Sequence, residues 1–147
     1  MTSPPRPWRF RTTVVAVAGL STTLLVLGCG PSGKKIVPAE GSVTVGNDPL
    51  QTGIIGFHPD TDRGNTSDRP ATGKIENGKY RLTYDGKDGA PVGAYKVTIS
   101  ATVPSNPKDE YSIPKSLIGK NFAQPKTTSL TVEVKEGGAP YDFKVTK

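Results

Sequence analysis

From residue 41 onward the apolar side chains recur at every second position, and that period constrains the fold more than any other feature of the chain. Val43 and Val45 alternate with Ser42 and Thr44, and Tyr80, Leu82 and Tyr84 alternate with Lys79, Arg81 and Thr83. Tyr95, Val97, Ile99 and Ala101 alternate with Lys96, Thr98, Ser100 and Thr102. Leu130, Val132 and Val134 alternate with Thr131, Glu133 and Lys135, and Tyr141, Phe143 and Val145 with Asp142, Lys144 and Thr146. Successive side chains of an extended chain point to opposite faces, so each segment reads as a strand with one buried and one wet face. A helix needs a period near 3.6, which no stretch of residues 30–147 keeps. Gly (17) and Pro (14) together make about a fifth of the 147 residues, which excludes a coiled coil or bundle.

Turn residues fall where these strands must stop. Gly46-Asn47-Asp48-Pro49 closes the first strand, and Ile54 to Phe57 forms a second that ends at His58-Pro59. Ala71 to Glu76 is a weaker strand, followed by Asn77-Gly78, the strongest two-residue hairpin signal in the chain. Asp85 to Gly93 is a turn-rich connection, and Gly137-Gly138 joins the last two strands. About seven short strands predict a single all-β domain, an antiparallel sandwich. Its expected core is Val43, Val45, Ile55, Phe57, Tyr80, Leu82, Tyr95, Val97, Ile99, Leu130, Val132, Val134, Phe143 and Val145. Residues 59–70 and 103–127 are too long for plain hairpins. The second carries Tyr111, Ile113, Leu117, Ile118 and Phe122, enough apolar surface to pack across one end of the sandwich.

The first 29 residues follow a different logic. Residues 1–11 carry only positive charge, residues 12–27 carry none, and Gly28-Cys29 follows at once. This is the layout of a secretory signal, and its 16 uncharged residues fall short of the ~20 a transmembrane helix needs. Val26-Leu27-Gly28-Cys29 resembles the bacterial lipobox, where lipoprotein signal peptidase cuts before an acylated Cys. The resemblance implies a signal peptide over 1–28, removed by cleavage between Gly28 and Cys29. Lipidated Cys29 and a short tether would then occupy 29–36, ahead of a β-domain over 37–147. Acylation would also consume the chain's only thiol, and two or three acyl chains hold a protein stably at a membrane. Gly30 rather than Asp follows the Cys, which points to the outer membrane of a cell envelope more than the inner one. Without Arg6, Arg9 and Arg11 the remaining 16 basic and 13 acidic residues leave a net charge of +3, too little for a nucleic-acid binder.

Residues 37–50 (VPAEGSVTVGNDPL) resemble the first hairpin of carboxypeptidase-regulatory-like and transthyretin-like domains, which read V-x-G-x-V-T-x-D-G-x-P-L. Residues 72–99 resemble the next part, with G-x-I-x-x-G-x-Y-x-L followed by G-A-P-x-G-x-Y-x-V-x-I. Residues 113–145 are similar to the closing part of small bacterial lipoproteins with this domain, through Ile113-Pro114, Phe122, Pro125, Thr128 to Val134 and Asp142-Phe143. Asn47-Asp48 stands where Asp-Gly is usual, and Phe122 where Tyr is commoner. The resemblance implies a prealbumin-like Greek-key sandwich without a common catalytic set, used elsewhere as an accessory module. A transthyretin-like hydroxyisourate hydrolase would need several His residues and a C-terminal Tyr-Arg-Gly-Ser, whereas this chain has one His and ends Lys-Val-Thr-Lys.

Chemistry-bearing residues are few. His58, the only His, lacks the partners that a zinc site or a nucleophilic triad requires. Asp60, Asp62 and Asp68 share one loop whose composition permits calcium, although Asp60-Thr61-Asp62-Arg63-Gly64-Asn65 is not an EF-hand spacing. The alternative is a solvated turn balanced by Arg63 and Arg69. Tyr84, Tyr111, Phe122 and His58 could line one ligand-binding end, or simply cap the core. The expectation is therefore a non-enzymatic, lipid-anchored extracytoplasmic protein that needs no cofactor and binds no nucleic acid. Its partners would be the membrane, through the acyl chains, and an envelope protein or glycan. The alternative is a carbohydrate- or peptide-binding module using loops 59–70 and 103–127.

Overall fold

The computed structural model describes residues 34–106, 108 and 112–147. The signal peptide expected over 1–28, Cys29, the start of the expected tether and Tyr111 lie outside the described residues. Within them the chain is all-β. β1 (Ile36–Val37) leads into β2 (Glu40–Val45), which pairs with the two-residue β3 (Asp48–Pro49) across the Gly46-Asn47 turn. β4 (Thr52–Pro59) and β5 (Ala71–Glu76) follow, then β6 (Lys79–Arg81) and β7 (Thr83–Tyr84). Three short or long strands come next: β8 (Lys87–Asp88), β9 (Ala90–Pro91) and β10 (Gly93–Ser100). β11 (Thr102–Val103) pairs with β12 (Lys115–Ser116), and β13 (Thr131–Val134) and β14 (Phe143–Val145) end the chain.

The main sheet runs β13-β10-β4-β5-β6-β2-β14, seven strands, antiparallel at every step but the last. The weak strand over 71–76 pairs with β4 along its whole length, from Ala71↔Phe57 to Glu76↔Thr52. Asn77 (φ 49°) and Gly78 (φ 78°) take the left-handed conformations that an Asn-Gly hairpin turn requires. β4 is longer than Ile54–Phe57, because His58 and Pro59 still pair with Lys96 and Tyr95. The expected strand over Tyr80–Tyr84 divides at Leu82. Its N–H turns to the Ala39 carbonyl and its carbonyl accepts from Gly89, so the chain changes neighbours there.

The antiparallel expectation needs one correction. β13 and β14 are not neighbours: they are the two edges of the sheet, and β14 lies parallel to β2, with Phe143 opposite Val43 and Val145 opposite Val45. Curvature makes this crossing short. β4 and β14 are four steps apart, roughly 19 Å in a flat sheet at about 4.8 Å per step. Yet the Phe57 and Phe143 rings meet edge to face at 5.8 Å. The sheet is therefore curled over its own inner face, and residues 135–142 need only step from one edge to the other.

The expected core is where the strands put it. Ten of its fourteen residues are buried, and Val45, Leu130, Val132 and Phe143 pack half-buried against them. Residues 117–123 cover one end of this core. The Leu117 N–H reaches Ala101 O (2.9 Å), the Gly119 N–H reaches Thr146 O (2.9 Å), and Ile118 and Phe122 are buried beneath them.

Candidate functional site

Strand register defines two opposite ends. Tyr95 sits beside Pro59 and Ser100 beside Ile54, so loop 59–70 lies at one end of β4 and β10, and β11, β12 and residues 117–119 lie at the other.

At the first end the chain enters the fold under restraint. β1 pairs with β9 (Ile36↔Pro91, Val37↔Ala90), and the Val92 N–H donates to Lys35 O at 3.1 Å. Lys34 Nζ donates to Thr66 O (2.9 Å) and Asp68 Oδ1 (3.3 Å), and Lys35 forms an ion pair with Glu136. The tether expected over 30–36 is thus docked from Lys34 onward. Asp68 gathers further donors, the Tyr84 hydroxyl at 2.5 Å and Arg69 Nε at 3.5 Å. Tyr84, the Asp68 backbone and Lys34 together hold the Asp68 carboxyl well down, at about 2. The same hydrogen bond raises the Tyr84 phenol.

The three aspartates of this loop face different partners. Asp60 is buried; its N–H donates to Ala94 O, and its carbonyl accepts from Arg63 and Asn65. Asn65, also buried, donates to Ala94 O at 2.7 Å and accepts from the Ser67 N–H. Asp62 is exposed, 3.9 Å from Lys96 Nζ, and Asp68 is committed to Lys34, Arg69 and Tyr84. Among the described residues no three His, Cys, Asp or Glu side chains gather as a metal site requires.

Of the candidates expected to line one end, Tyr84 and Phe122 lie at opposite ends. Tyr84 belongs to the end with Asp68. Phe122 belongs to the opposite end, where it is buried in the core rather than displayed. The apolar content of the loop that brought Phe122 forward as a contact residue is what draws it inward. His58 is on the outer face of β4, its Nε2 3.0 Å from Thr98 Oγ1, and partial burial lowers its pKa so that the neutral ring is favoured. A Cβ at Gly56 would come within 3.1 Å of that ring, so the glycine makes room for it.

The sequence reading overlooked a groove of about 700 Å³ on the outer face of β5, β6 and β2. Lys74, Glu76, Lys79, Arg81, Glu40, Ser42 and Asp142 line it. Register explains the grouping: Lys79 is opposite Glu76 on one side and Ser42 on the other, and Arg81 is opposite Glu40. Arg81 Nη2 pairs with Glu40 Oε2 at 3.0 Å. Asp142 Oδ1 accepts from both Ser42 N and Ser42 Oγ at 2.7 Å, which holds that carboxyl below its ordinary value. Three cations face three anions there, so the groove carries both signs in balance. Its signal lay in the polar partners of the alternation, Lys79 and Arg81, which the search for a core passes over.

No family model, no curated protein and no solved structure matches this chain.

Proposed function

We propose that this chain is a non-catalytic, lipid-anchored protein of a bacterial cell envelope, holding a rigid β-domain outside the cytoplasm for interaction or envelope structure. One observation carries the reading. Cys29, the chain's only Cys, directly follows an uncharged run with a basic start and stands five positions before the docked Lys34. Gly30 after that Cys favours the outer membrane. The finer fold belongs to the same reading: a Greek-key sandwich of the transthyretin-like type, supported by the curl that brings Phe57 onto Phe143. Metabolic labelling with palmitate tests the anchor. Incorporation that disappears in Cys29→Ser supports it, and incorporation that survives the substitution overturns it.

A second reading, a carbohydrate- or peptide-binding module, is favoured by the groove over Lys79 and Arg81, whose mixed charges suit a polar ligand. Loops 59–70 and 103–127 would serve it only separately, being at opposite ends. A glycan- or peptide-array signal lost in Lys79→Ala with unchanged folding would promote this reading, and a signal that persists would remove the groove from it.

A further inference from the structure

We infer that the docked segment at Lys34 and Lys35 sets the pose of the domain at the membrane, with the end bearing loop 59–70 against the lipid headgroups and the end bearing β11 and β12 turned away. The inference rests on acylation of Cys29, and the geometry adds a length argument to it. With Lys34 held on Thr66 and Asp68, and Lys35 on Val92 and Glu136, only four residues of sequence, 30–33, separate the docked segment from Cys29. From Cys29 to Lys34 the chain takes five steps and reaches at most about 18 Å. From Gly93, next to the docked segment, β10 runs to Ser100, a distance of about 24 Å at ~3.4 Å per residue. The tether is shorter than the domain, so the domain cannot invert over its anchor.

The two ends also differ in what they offer. Val92, 45% exposed beside the Lys35 carbonyl, places an apolar side chain at the membrane-facing end. Ile113, 83% exposed, stands on the connection between β11 and β12 at the outward end. The groove over Lys79 lies along the side of the sheet, open in this pose.

Energy transfer to the bilayer tests the pose. The full-length acylated protein is reconstituted into phosphatidylethanolamine–phosphatidylglycerol vesicles containing a headgroup-labelled acceptor lipid. With Cys29 acylated, one added cysteine is the sole reactive thiol for a donor dye. Arg63→Cys reports on the tether end and Asp48→Cys on the far end, both at exposed positions. Strong transfer from position 63 and weak transfer from position 48 is the expected result. Inserting about eight Gly/Ser residues after Ser32, enough to exceed the length of the domain, should level the two. Equal or reversed transfer without the insert, in protein that still floats with the vesicles, overturns the pose and leaves the anchor standing. Protein that fails to float overturns both.

Discussion

The Tyr84 hydroxyl donates a 2.5 Å hydrogen bond to Asp68 Oδ1, the same oxygen that receives Lys34 Nζ at 3.3 Å. A buried strand residue, a loop acid and the segment that leads into β1 are thereby tied at one carboxylate. The Asp68 carboxyl is held down from 3.8 to about 2, so its contribution to stability is complete above pH ~4. That contribution is lost as the pH falls toward 2 and the carboxylate is protonated. Asp68→Asn should therefore melt below the wild type at neutral pH, with the gap closing between pH 4 and 2. Thermal unfolding of both proteins across that range checks the sign. A gap that stays constant would show that the charge contributes nothing.

Tyr80 reaches the interior with its hydroxyl 2.6 Å from the Tyr141 carbonyl, and burial raises its pKa far enough that it remains a donor at any working pH. Tyr80→Phe keeps the ring and strands that carbonyl. A buried acceptor left unsatisfied costs roughly 1–3 kcal/mol, a loss measurable by urea unfolding.

Gly41 is the residue over which the last segment of the chain folds back. The Tyr141 N–H donates to Glu40 O at 2.8 Å, and a Cβ on residue 41 would collide with the Tyr141 carbonyl. Gly41→Ala should cost about 1–3 kcal/mol, as overpacking does, and should loosen β14 from β2. Faster hydrogen exchange confined to Phe143–Val145 and their β2 partners is the expected signature.

Phe122→Ala separates a core role from a display role. The ring is 7% exposed, so truncation should cost on the order of 3 kcal/mol in urea unfolding. A display residue would leave the unfolding midpoint where it was.

What the sequence discloses here follows from range. Alternation is local, so Val43, Phe57, Tyr95 and Val97 could be assigned to the inner face from their neighbours alone, and Asn77-Gly78 announced its own turn. The curl is not local: nothing near Phe143 says that it meets Phe57, because that contact depends on the summed twist of four strand pairs. The parallel pairing of β14 with β2 is hidden for the same reason. Among candidate site residues, Asp60, Asp62 and Asp68 looked equivalent in composition, and only backbone geometry separates a buried turn residue from an exposed carboxylate tied to Lys34. The docking of Lys34 and Lys35 was illegible because their partners lie far along the chain, 34 residues on at Asp68 and further still at Glu136.

Intact mass spectrometry of the native protein extracted from its membranes tests the central claim most directly. The account predicts a polypeptide beginning at Cys29 and heavier than its sequence by the mass of a diacylglyceryl or triacyl modification. A chain beginning at Met1 with no added mass would contradict it.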